Sequence, residues 1–270
     1  MLSTLPSLLK AEFRHQRYII QQGRVGLVWI VLAALLIVPA LVATAGFMAV
    51  TLLNDDPTVV AGLFASGPNQ PGTTLPLLAV LVSSVSMLVV VTFITYGLAA
   101  NSITRERRGN TWDNLRLTGA SAFSIVLGKW IASLLAVWGD HLIAVALRVG
   151  LVSYLLLIVR FNVYAWADLP DAVVLAMWGL VLWYGVLDAG ATAAIGILGA
   201  AVEGAAGAWL ALLLVGLRLG LMAAAAAWCY IALLLVFEAP LLLVWHTLVG
   251  TLFYASVTVV MLWFAQRHVG

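Results

Sequence analysis

The chain has 270 residues, of which 64% are apolar and only 9% charged, with a formal charge of +2. Soluble domains average about 45–50% apolar and about 25% charged residues, and no water-soluble fold of this size hides so much apolar side chain. Disorder, a disulfide scaffold and nucleic-acid binding are excluded, and an all-α integral membrane protein remains. The single cysteine, Cys229, sits in an apolar stretch and permits no internal disulfide or cysteine metal cluster.

Residues 1–25 are mixed in character. Leu5, Leu9, Phe13 and Ile20 fall close to one helical face, with Lys10, Arg14 and Arg17 elsewhere around it. This spacing predicts a basic amphipathic helix lying in the membrane interface. No cleavable signal is visible, because the first continuous apolar run is too long for one.

Six apolar runs follow, at 26–53, 75–100, 125–159, 172–202, 208–237 and 241–265. Each exceeds the roughly 10 residues of a barrel strand, so each is read as a helix. The reading is one domain over 1–270: an interfacial helix at 1–25, a six-helix membrane region at 26–265 and a tail at 266–270. Pro39 interrupts the hydrogen-bond ladder of the first run, and the carbonyl it frees must find another partner. The third run is 35 residues long, about 52 Å as a straight helix against a hydrocarbon core of about 30 Å. It is expected to project beyond the membrane or to break near Gly139. The fifth run poses the same problem, and a span followed by a re-entrant helix is one solution.

Lysine and arginine set the orientation. Lys10, Arg14, Arg17, Arg24, Arg105, Arg107, Arg108, Arg116, Lys129 and Arg267 fall on one side, while the other carries Asp55, Asp56, Asp168, Asp171, Glu238 and Arg160. Both termini are therefore expected in the cytoplasm, and segment 54–74 outside.

The segment ITRERRGNTWDNLRLTGASAFSIVLGKW, 103–130, joins runs two and three. Thr111 suits an N-cap, Asp113 the first turn of a helix, Gly119 its stop, and Ser121 the cap of the next span. A short cytoplasmic helix over 112–118 is predicted, with Trp112 and Leu115 on one face. An apolar face on so short a helix needs something to dock on.

This segment resembles the ABC type-2 permease family, the membrane subunits of many ATP-binding-cassette exporters. The matching residues are Glu106, Arg107, Thr111, Trp112 and Asp113, then Leu115, Leu117 and Thr118, then Gly128 and Lys129. The pattern departs from the family at Asn110, where glycine is usual, and at Gly119, where proline is usual. A weaker echo is AIGILGAAVEGAAGAW at 194–209. The layout resembles the family over most of the chain, and the detail over about 30 residues. The resemblance implies a permease in a prokaryotic inner membrane that pairs with a second copy or a paralogue. It implies that Arg105, Glu106, Arg107, Arg108, Thr111, Trp112, Asp113, Leu115 and Arg116 couple it to a cytoplasmic ATPase. Trp112 and Leu115 would supply the apolar contact, and Arg107, Arg108 and Arg116 would steer an acidic partner surface.

The chain holds no G-x-x-x-x-G-K-[ST] phosphate loop, so it is not read as an enzyme. No cofactor is expected in it, and ATP and Mg would belong to the partner. Ionisable residues at membrane depth are functional candidates by default: Asp140, His141, Arg148, Asp188 and Arg218. Helix rise predicts the pairs Asp140–Arg218 and Asp188–Arg148, with partners interchangeable, as ion pairs that lock spans three to five. Gly216 and Gly220, and the ridge Gly185, Ala189 and Ala193, read as close-packing positions.

An intramembrane aspartyl protease is disfavoured because Val137 stands where that family's pattern requires glycine. His15, His141, His246 and His268 lie on separate elements without metal-ligand spacing. The alternative reading is a permease-like scaffold in a larger membrane complex without transport activity. An ATP-independent carrier is a third, weakened by the absence of evident inverted halves.

Overall fold

The computed structural model describes residues 5–23, 27–53, 71–117, 119–162, 171–202 and 240–269, with isolated residues between 209 and 223. All the elements among them are helices: α1 (Leu5–Gly23), α2 (Leu27–Leu53), α3 (Pro71–Arg108), α4 (Trp112–Leu117), α5 (Ala122–Ala136), α6 (Trp138–Asn162), α7 (Asp171–Ala201) and α8 (Pro240–Val269). Five of these, α2, α3, α6, α7 and α8, are long and apolar enough to cross a membrane. Most of the predicted span at 208–237 lies outside the described residues, as does most of the segment 54–74.

The run at 125–159 is two helices. Val137 ends α5 with φ −109° and ψ 14°, and its carbonyl accepts from Asp140 N at 3.0 Å and His141 N at 3.2 Å. The break thus falls two residues before Gly139, which lies inside the first turn of α6. Glycine is not needed for it, since the bridge region admits any residue.

The second run extends further than its apolar stretch. Its helix, α3, is 38 residues long and carries Arg105, Arg107 and Arg108 in its last turn. Cations there favour the C-terminal end of the helix dipole, so the helix continues where the hydrophobic pattern stops. The turn that follows α3 places Asn110 in the left-handed region at φ 50°, and the turn after α4 places Gly119 there at φ 75°. Asparagine tolerates that conformation better than other side-chain-bearing residues. Ser121 caps α5 as its spacing predicts, accepting from Ser124 N at 3.1 Å.

Residues from α3, α5, α7 and α8 share one core around Ile103, Val126, Ile197 and Leu262. A second core joins α2, α3 and α6 through Ala40, Val80, Val91 and Leu147. Close approach is enforced at Gly196, where a Cβ would lie 2.7 Å from Tyr96 O. Gly185 is likewise covered by Val145, whereas at Gly216 and Gly220 no described residue lies within 4 Å of an added Cβ. Next to the Leu35 carbonyl whose intrahelical donor Pro39 removes, Ser83 Oγ donates to Leu36 O at 2.9 Å.

Candidate functional site

Two clusters of charge are assembled at different levels of the bundle. The first forms where α1 crosses the ends of α3 and α5. Glu12 and Gln16, one turn apart on α1, are both buried. The helix therefore seats by a polar stripe, while Leu9, Phe13 and Ile20 of the predicted apolar face are only half-buried.

Lys129 of α5 is 1% exposed. Its Nζ donates to Glu12 Oε2 at 3.2 Å, Ser102 O at 2.8 Å and Glu106 Oε1 at 3.3 Å. Those three contacts use all the donors an ammonium has. Arg105 bridges the same two carboxylates, reaching Glu12 Oε2 and Glu106 Oε1 at 2.8 Å each. Two acids and two bases thus cancel. Gln16 completes the seat, donating to Glu12 Oε1 at 3.1 Å and Ser133 Oγ at 3.0 Å. Burial works against ionisation of Glu12, but Lys129, then Arg105, and the hydrogen bonds from Gln16 and Arg105 hold its carboxyl below the ordinary value of 4.5. An open cavity of about 520 Å³ borders the cluster, lined by Leu8, His15, Leu115 and Ala120 among others.

α4 is tied into this cluster. Thr111 precedes it, and its carbonyl accepts from Leu115 N at 3.1 Å, as an N-cap carbonyl does. The Thr111 hydroxyl points the other way, donating to the Glu106 carboxylate instead of capping α4. Leu115 turns towards the cavity beside α1, while Leu117 is 84% exposed. The apolar side chain that α4 presents outward is thus Leu117, not Leu115. The side chains of Trp112, Asp113 and Arg116, and all of Thr118, lie outside the described residues. Arg108 is exposed. Arg107 is engaged within the fold: its guanidinium donates to Ala200 O and Ala201 O at 2.9 Å each and to His268 O at 3.3 Å, closing the C-terminal ends of α7 and α8.

The second cluster lies at mid-span. Asp188 of α7 is buried and receives a two-pronged contact from Arg218, which lies in helical backbone at 218–220. Arg148 of α6 approaches the same carboxylate at 3.7 Å. Arg218 also donates to Thr92 Oγ1 of α3 at 2.9 Å, and His141 Nε2 meets Thr95 Oγ1 at 2.9 Å. Asp188 therefore serves both arginines: it meets Arg148, as in the first of the interchangeable pairings, and grips Arg218 more closely, as in the exchanged one. Equal depth does not decide pairing, because the facing of each helix does.

The sequence reading passed over Glu12, Gln16, Ser102 and Ser133. One signal was present: Glu12 is the sole acid among the first 25 residues, one turn from Gln16 on an otherwise basic helix. Lys129 was read as a topogenic charge, yet it is the most deeply buried cation of the first cluster. Among the described residues, no three His, Cys, Asp or Glu side chains gather as metal ligands. No family model, curated protein or solved structure matches the chain.

Proposed function

We propose that the chain is the membrane-spanning permease subunit of an ATP-binding-cassette exporter. In this reading it has six spans with both termini in the cytoplasm of a prokaryotic cell, and α1 lies in the membrane interface. It pairs with a second copy or a paralogue to form the translocation path. α4 docks on a separate cytoplasmic ATPase, which binds the ATP and Mg.

One observation carries the reading: the way α4 is anchored. Thr111 holds Glu106, and Glu106 shares Lys129 and Arg105 with Glu12. A displacement of α4 by a partner is thereby applied to α1, α3 and α5 together. A helix of six residues has little stability of its own. Its tethering to buried charge, with Leu117 turned outward, suits an element that transmits force. The local motif at 103–130 supplies the family.

Co-purification tests the proposal. A soluble ATPase should accompany the native chain, and Leu117→Asp combined with Trp112→Ala should release it while leaving membrane insertion intact. Recovery of the ATPase with that double variant, together with undiminished transport, would defeat coupling through α4. A scaffold within a larger membrane complex is the second reading. It is favoured by the way Asp188 fastens α6, α7 and the segment at 218 into one fixed contact. Co-purification of another membrane complex, with no ATPase, would replace the first reading by the second.

A further inference from the structure

The charges of the cluster at the α1 end cancel, but its hydrogen bonds do not use every donor and acceptor. Arg105 makes both of its contacts through Nη2, which leaves Nε and Nη1 without a partner among the described residues. Its side chain is 32% exposed. Glu12 Oε1 accepts from Gln16 alone, and Glu106 Oε2 from Thr111 alone. A carboxylate oxygen accepts about two hydrogen bonds, so each has room for one donor more.

These three side chains line one space, the open cavity of about 520 Å³, to which Leu8, Ala11 and Ala120 give apolar walls. That volume lies within the range of ligand pockets. Lys129 also borders it but has no donor left. A purely anionic ligand gains little here, because two carboxylates stand beside the arginine. A purely cationic one meets two fixed cations. A ligand that carries both signs satisfies both sets of unused groups and leaves the net charge of the site unchanged. The seating of α1 points to its source. The polar stripe of α1 faces the bundle, while Leu9 and Phe13 are only half-buried and Tyr18 is exposed. With α1 in the membrane interface, as proposed above, lipid covers those side chains and the cavity opens at the depth of the headgroups.

We propose that this cavity binds the headgroup of a phospholipid that joins a phosphate to a primary ammonium, as phosphatidylethanolamine does. The phosphate takes the free edge of Arg105, Nε and Nη1, in a two-pronged contact. The ammonium donates to Glu12 Oε1 and Glu106 Oε2, and the apolar walls receive the glycerol end. A trimethylammonium has no N–H to donate, and a glycerol headgroup has no cation. Phosphatidylcholine and phosphatidylglycerol therefore leave the carboxylates unmet. The site rests on the placement of α1 in the membrane interface and does not depend on an ATPase partner.

The experiment titrates the delipidated full chain in detergent with dioleoyl phosphatidylethanolamine, phosphatidylcholine or phosphatidylglycerol and counts bound lipids by native mass spectrometry. The first phosphatidylethanolamine should bind about tenfold more tightly than the first of either other lipid, the difference expected from one charged hydrogen bond. Arg105→Gln should remove that preference. Ala11 lines the cavity and is exposed. Ala11→Trp should therefore fill the cavity and abolish the preference without touching the charges, which provides a test even if the Arg105 variant does not fold. Free phosphoethanolamine should not displace the lipid. Equal binding of the three lipids, a native preference in Arg105→Gln or Ala11→Trp, or displacement by phosphoethanolamine alone would each overturn the proposal. A spin label at Arg14, read in nanodiscs against oxygen and a water-soluble nickel chelate, checks the interface separately. A label at headgroup depth with no lipid preference defeats the headgroup site alone, whereas a label in bulk water defeats the interface placement and the site together.

Discussion

The cluster at the α1 end and the cluster at mid-span use the same side-chain types to opposite effect. At the α1 end two carboxylates face two cations, and a serine carbonyl, a threonine hydroxyl and a glutamine fill the remaining positions. At mid-span one carboxylate faces two guanidinium groups, and Arg148 is the more exposed of the two. The first arrangement closes on itself and fastens four segments. The second holds Arg218 by a two-pronged contact and Arg148 by a single, longer one to the same carboxylate. Among the described residues the two clusters thus differ in how many cations share each carboxylate.

The largest effect should come from the carboxylate that has no substitute. Asp188→Ala leaves Arg218 buried and unpaired, and breaking a buried pair from one side costs about 3–5 kcal/mol. Reversible unfolding in mixed micelles should register that loss. Adding Arg218→Met should recover part of it, and simple additivity in that cycle would mean the two residues are uncoupled.

At the α1 end the corresponding change is Lys129→Met. Arg105 still bridges Glu12 and Glu106 there, so the loss should fall to about 1.5–3 kcal/mol, the range for charged hydrogen bonds. A loss as large as that of Asp188→Ala would show that the shared arrangement gives no redundancy.

Acid separates the two clusters next. The Glu12 carboxyl is lowered in the fold, so its contribution is complete above 4.5 and is lost as the pH falls through the lowered value. Arg105 keeps its charge throughout that window. Spin labels at the exposed positions Arg14 and Phe123 should report one distance at neutral pH and a broad distribution once Glu12 is protonated. Unchanged docking of α1 in acid would remove the ion pairs as its cause.

The smallest effect belongs to the turn. Asn110 has φ 50°, so Asn110→Val should cost about 1–2 kcal/mol, while Asn110→Gly should change stability by less than about 0.5 kcal/mol. Equal effects in a thermal unfolding series would mean that the turn does not require its positive φ.

The apolar runs were legible because hydrophobic length is a one-dimensional quantity, and four of the five described spans begin within four residues of the start of a predicted run, α6 being the exception. There the excess length of the run pointed to a break near Gly139 and the break falls at Val137; its position to the residue leaves no mark in an apolar sequence. The caps at Ser121 and Gly119 were legible from residue type alone. That Asp188 pairs with an arginine was legible from depth, but its being shared by both was not, since depth follows from counting residues and facing follows from packing. The role of Lys129 was hidden for a related reason. A lysine at the edge of an apolar run carries the same letter whether it meets water or three buried oxygens.

α3 is unbroken from Pro71 to Arg108 and belongs to both clusters. Thr92 and Thr95 touch Arg218 and His141, while Ser102, Arg105 and Glu106 hold Lys129 and Glu12. Thirteen residues separate Thr92 from Arg105, about 20 Å of helix. α5 and α6 make the same journey but are jointed at Val137. The bundle thus contains a stiff strut beside a hinged one. An axial slide of α3 carries its contacts at both levels by one stroke, whereas a tilt of α5 can be absorbed at the joint before it reaches Arg148.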